Sequence, residues 1–105
     1  MTTGDGAARP GGADEVAEAD FRIVNERGLH ARAATKLVQL AGKFSCEVMI
    51  SGTDAEAVNA KSVMGVLLLC GAKGTVVSVS ARGVEARRCV DAIGELIASR
   101  FGEPE

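Results

Sequence analysis

Downstream of Phe21 the apolar residues switch repeatedly between a two-residue and a 3.6-residue repeat. No other feature limits the folds open to this chain as much. Phe21-Arg22-Ile23-Val24-Asn25 alternates loosely and is predicted to be a strand, closed by a loop from Asn25 to Gly28. Ala34, Leu37, Val38 and Ala41 then fall at i, i+3, i+4 and i+7, one apolar stripe of a helix that Gly42-Lys43 should stop. Cys46, Val48 and Ile50 alternate with Glu47, Met49 and Ser51 as in a half-buried strand. Ser51-Gly52-Thr53-Asp54 should turn the chain into a short returning strand at Ala57-Val58-Asn59. Ser62 opens a second helix with Val63, Val66, Leu67 and Cys70 at helical spacing and Gly71 after them. Thr75 to Ser80 reads as another strand, turned by Arg82-Gly83 into a last helix. There Ala86, Cys89, Val90, Ile93 and Ile97 form the buried stripe, while Arg87, Arg88, Asp91 and Glu95 face water. The order βαββαβα predicts an α+β open-faced sandwich, a four-stranded and mostly antiparallel sheet with three helices on one face.

A chain of 105 residues with 47% hydrophobic and 25% charged residues suits one folded domain that needs neither disulfide nor metal. Its aromatic content is 3%, all Phe, which argues against a stacking platform for bases or sugars. The formal net charge of -2 excludes a strongly basic nucleic-acid module, but it is unevenly spread. Residues 1–20 hold five acids against Arg9 alone, and the rest carries 11 basic and 9 acidic groups. Those first twenty residues include Pro10-Gly11-Gly12 and show no apolar period, so they are expected to be a flexible acidic extension, with the folded domain spanning 21–105. Cys46, Cys70 and Cys89 form no C-x-x-C pair, and one histidine completes no zinc set, so the expectation is three small buried thiols and no metal. No basic start precedes an apolar run, and Val63 to Cys70 is too short to span a bilayer. A cytoplasmic location without membrane insertion is the expectation.

The single histidine lies in Gly28-Leu29-His30-Ala31-Arg32, where the first helix begins. A helix start presents unpaired N–H groups and the positive end of the helix dipole, and so attracts anions, phosphate above all. A neutral imidazole nitrogen is a competent nucleophile near pH 7, and an arginine two residues on can neutralise a transferring phosphoryl group. Gly28 would allow the tight bend that exposes the ring. On spacing alone, a lone loop histidine is more often an ordinary surface residue. A second segment, Asn59-Ala60-Lys61-Ser62-Val63-Met64-Gly65-Val66, opens the second helix with Ser62 as its natural N-cap.

These two motifs, in this order and element pattern, resemble the histidine-containing phosphocarrier (HPr) family of the phosphoenolpyruvate-dependent sugar phosphotransferase system, from about Phe21 to Phe101. The resemblance implies that His30 carries a phosphoryl group on Nδ1, received from phosphorylated enzyme I and passed to enzyme IIA domains. Arg32 would match the arginine that neutralises the phosphate. Ser62 would match a serine that an ATP-dependent HPr kinase/phosphorylase modifies in some bacteria, adding about −2 charge beside the docking surface. Arg27, Ala31, Lys61, Val63, Met64 and Leu67 would meet the partners. No cofactor is implied, and the chain would work as a monomer, as a transfer intermediate more than a free-standing enzyme. One departure is Ala33, where the family usually has proline: the helix should still form, but with less local rigidity and slower phosphorylation. Another is the loop from Gly52 to Glu56, which looks slightly longer than usual.

Val63 and Leu67 also fit a plain core role, whereas Met64 lies off the buried stripe and suits a surface that meets several partners. Arg27, Arg32, Lys36 and Lys61 would form a basic rim that steers acidic partners. The competing functional reading is a regulatory module in which the states of His30 and Ser62 report metabolic status, on a nitrogen- or carbon-control branch without sugar transport. An RNA-binding α+β domain is the weakest alternative, because the sheet lacks aromatics.

Overall fold

The computed structural model describes residues 14–52 and 56–105. Four strands form one sheet: β1 (Val16–Arg22), β2 (Glu47–Ser51), β3 (Val58–Asn59) and β4 (Val76–Arg82). Their spatial order is β1-β4-β2-β3, and every neighbouring pair is antiparallel. Three helices, α1 (Ala31–Ala41), α2 (Val63–Leu68) and α3 (Ala86–Ala98), complete the βαββαβα order, and a turn of 3₁₀ helix at Arg100–Gly102 follows. The open-faced sandwich expected from the hydrophobic period is the fold observed.

Register explains which face is covered. Ala17 opposes Ala81, which also opposes Val48, and Ile50 opposes Val79. All five are buried, so a single row of small and β-branched side chains crosses three strands under the helices. Their outward neighbours include Val16, Glu18, Asp20, Met49 and Ser78, which leaves the other face partly polar and open. From the helix side come Ala33, Ala34, Leu37 and Ala41 of α1, Val66 of α2, and Cys89, Val90, Ile93 and Ile97 of α3, all buried. Each fully buried Leu or Ile contributes roughly 2 kcal/mol through the area removed from water. Gly94 lets α3 sit close on the sheet, since a Cβ there would lie 2.4 Å from the Phe21 ring.

The structure moves the start of the folded unit. β1 begins at Val16, and Ala17 is 2% exposed, so Val16 to Asp20 belong to the sheet and not to a flexible extension. The short run Ala17-Glu18-Ala19-Asp20 does alternate apolar and acidic residues, but its small alanines give little apolar signal, and pairing with β4 supplies what they lack. The rest of the expected extension, residues 1–13, lies outside the described residues, as does part of the Gly52–Glu56 loop.

Cys70 is a second correction. Cys46 and Cys89 are buried as expected, but Cys70 is exposed. α2 ends at Leu68, so Cys70 falls past the helix with a left-handed φ of 51° and never joins its apolar stripe. Burial first, then the neighbouring Cys46 thiol, pushes Cys89 up to about 12 against a smaller downward pull from Lys61, so its thiol stays protonated at neutral pH.

Candidate functional site

His30 is the N-cap of α1, with extended backbone (φ −74°, ψ 178°), and its carbonyl accepts the first helical bond from Ala34 N–H at 2.8 Å. Among the described residues no side chain caps this helix start, and its first turn holds no acid to offset the positive end of the helix dipole. The bend that delivers His30 depends on Gly28, at φ 63°, where a Cβ would stand 2.2 Å from the Gly71 carbonyl oxygen. Leu29 N–H donates to that same oxygen at 2.7 Å, tying the histidine loop to the exit of α2. The helix forms with Ala33 in its first turn, fully buried, as alanine's propensity leads one to expect.

The ring is 24% exposed, and its Nε2 is engaged by Oε2 of Glu103, whose side chain is 11% exposed. Among the described residues Nδ1 has no hydrogen-bond partner. The other Glu103 oxygen accepts from Asn25 Nδ2 at 3.0 Å. Asn25 is wholly buried, its Nδ2 also donates to the Gly28 carbonyl at 3.0 Å, and its Oδ1 has no partner among the described residues. The His30 hydrogen bond, and then that from Asn25, hold the Glu103 carboxyl below the usual carboxylate range. Sequence reasoning marks neither Glu103 nor Asn25 as a site residue. Glu103 lies 73 residues from His30 in a tail without hydrophobic period, so no local pattern signals the contact.

Beside the histidine an open cleft of about 310 Å³ is lined by Glu26, Arg27, Arg32, Glu103, Pro104 and Glu105. Glu26 is paired with Lys73 at 2.8 Å, whereas Arg27 and Arg32 make no ion pair among the described residues. Two cations thus stand available for an anion next to an uncapped helix start.

The expected basic rim is smaller than its sequence suggests. Lys36 Nζ donates to the Phe101 carbonyl and Lys61 Nζ to the Phe44 carbonyl, each at 2.6 Å, so both ammonium groups brace the fold. Ser62 caps α2 as expected, its Oγ accepting from Gly65 N–H at 3.1 Å. Val63 and Leu67 are half-buried and pack on the core, in line with their plain core reading. Met64 is 70% exposed, and Leu68, one turn further on, is 71% exposed. Together they make an apolar i,i+4 pair on α2, of which sequence reasoning identifies only the first member. Ala31 is exposed at the first position of α1.

A histidine at a helix start, with two arginines at hand that make no ion pair among the described residues, is an arrangement suited to an anionic group. The known relatives agree. The family model for the "PTS HPr component phosphorylation site" matches residues 17–99. The phosphocarrier protein HPr of Cupriavidus necator is 45% identical over 86 residues, covering 82% of this chain and 96% of the relative. The solved HPr from Thermoanaerobacter tengcongensis superposes with a TM-score of 0.80 at 42% identity, covering 85% of this chain and 99% of that one. An HPr dimer from the same organism matches with a TM-score of 0.66 at 43% identity, over 79% and 94%. The chain belongs to the HPr family, the phosphocarriers of the phosphotransferase system. This favours the phosphocarrier reading over a regulatory module uncoupled from transport.

Proposed function

We propose that the phosphoryl group is carried on Nδ1 of His30, taken from phosphorylated enzyme I and passed to an enzyme IIA domain for sugar uptake in the cytoplasm. The observation that supports this most is the ring itself: Nε2 is taken by Glu103 and Nδ1 has no partner among the described residues, beside an uncapped helix start. In the loading step the Nδ1 lone pair forms the N–P bond as the donor's bond to phosphorus breaks, with its electron pair leaving on the donor. Arg32, with Arg27 behind it in the cleft, neutralises the phosphoryl oxygens as charge builds on them. Met64 and Leu68 supply the exposed apolar contact, with Val63 and Leu67 on the same helix, and Arg27 and Ala31 join the docking surface from the histidine side. Lys61 contributes to docking through the loop it braces. At Ser62, phosphorylation by a serine kinase would end its role as hydroxyl cap and place about −2 charge beside Met64.

The test is incubation with enzyme I, phosphoenolpyruvate and magnesium, reading an acid-labile phosphoryl group on the chain. Wild type should label fully, His30→Ala not at all, and Arg32→Ala at least about tenfold more slowly, the cost of losing one charge-assisted contact. Undiminished labelling of His30→Ala would overturn the assignment.

A further inference from the structure

The contact between Glu103 and His30 bears on how the ring works as an acceptor, and its role rests on the assignment of His30 as that acceptor. A carboxylate only accepts hydrogen bonds, so Nε2 must supply the hydrogen in this pair. In a neutral ring the bare lone pair then sits on Nδ1. The carboxylate is clamped from its other side by Asn25, a wholly buried amide whose second donor is fixed to the Gly28 carbonyl two residues before His30. The tail that brings Glu103 there is itself anchored. Arg100, Phe101 and Gly102 take left-handed φ values of 60°, 55° and 78°, and the Phe101 ring is fully buried. Lys36 Nζ holds the Phe101 carbonyl, Arg100 Nη1 holds the Pro104 carbonyl at 2.7 Å, and Glu26 N–H holds a main-chain oxygen of Glu105 at 3.0 Å. Two non-glycine residues in a row at left-handed φ persist only where the surroundings fix them, Gly102 continues in that region without strain, and together they turn the chain back over the histidine.

We infer that Glu103 is a positioning residue for phosphoryl transfer, which keeps His30 in its Nε2–H tautomer and its ring in place so that Nδ1 is the nucleophile. During loading, the Nδ1 lone pair becomes the N–P bond, the donor's bond breaks onto the donor, and the hydrogen stays on Nε2. The positive charge that the ring gains lies against the Glu103 carboxylate, the relation an acid bears to an imidazole in hydrolase triads. On unloading, the electron pair returns to Nδ1 and the ring is neutral again in the same tautomer, ready for the next cycle.

The experiment uses the full chain, ¹⁵N-labelled, as wild type, Glu103→Gln and Glu103→Ala. The ring nitrogen shifts of His30 are read at about pH 8.5, where a free imidazole is neutral. Wild type should show one protonated Nε2 and one bare Nδ1, Glu103→Gln should keep that pattern, and in Glu103→Ala the two shifts should converge as both tautomers mix. Loading by phosphorylated enzyme I should slow about tenfold in Glu103→Ala and less in Glu103→Gln. Unchanged ring shifts in Glu103→Ala, with or without a slower rate, would overturn the proposal. A wild-type chain that takes no phosphoryl group would instead remove the His30 assignment, which the ring shifts do not depend on.

Discussion

The starts of α1 and α2 are chemically opposite. At α2 the Ser62 hydroxyl accepts the Gly65 N–H at 3.1 Å and the helix start is satisfied from within the chain. At α1 the capping position is held by His30, whose ring turns to Glu103 and makes no cap bond. Ser, Thr, Asn and Asp stabilise a helix start by about 1 kcal/mol over a residue that cannot cap. A histidine there forgoes that, and the N–H groups it leaves uncapped are what an incoming phosphoryl group needs. One helix start is closed by its own side chain, and the other is left open.

That contrast can be broken from either side. The largest expected effect on stability is at the finished start: Ser62→Ala should lower the unfolding free energy by about 1 kcal/mol in denaturant titration while His30 labelling stays within about twofold. A labelling rate that collapses with the cap would mean that the two starts are not independent. Making α1 begin as α2 does, with His30→Ser, should abolish labelling and raise stability by about 0.5 kcal/mol, the new cap bond outweighing the lost contact with Glu103. A clear fall in stability would show that the Glu103 contact matters more to folding than an N-cap does. The smallest effect is on pH. The Glu103 carboxyl is held below its usual range by His30 first and Asn25 second, so the unfolded chain binds that proton more readily than the folded one. Its contribution to stability is therefore complete above the unfolded carboxylate value of about 4.3 and fades as the pH falls through the lower folded value. Unfolding midpoints of wild type and Glu103→Gln should differ at about pH 6 and draw together below about pH 4. A gap that stays constant would mean that the carboxylate charge plays no part in holding the tail.

Much of this was legible before folding, for identifiable reasons. Each helix carries its apolar residues at 3.6-residue spacing, so the stripes at Leu37 and Ile93 name their own buried face. The residues around His30 and Ser62 are contiguous, so their chemistry sits in short motifs. Legibility failed where a residue's partner is distant in the chain. Val16 to Asp20 form a strand because β4 pairs with them, from Val16 opposite Arg82 to Arg22 opposite Val76. Lys36 and Lys61 look like solvated charges until the carbonyls of Phe101 and Phe44 are brought to them. Cys70 looks like a stripe residue until the helix is seen to stop at Leu68.

The sequence by itself determined the order of elements, the buried helix faces, the capping serine and the histidine at a helix start, because all of these are written in residues within one or two turns of each other. Only the tertiary structure decided what the ring is bonded to. Asn25, Glu103 and the tail from Arg100 to Glu105 meet His30 because the buried Phe101 turns the chain back after α3, and no local period encodes a contact across 73 residues.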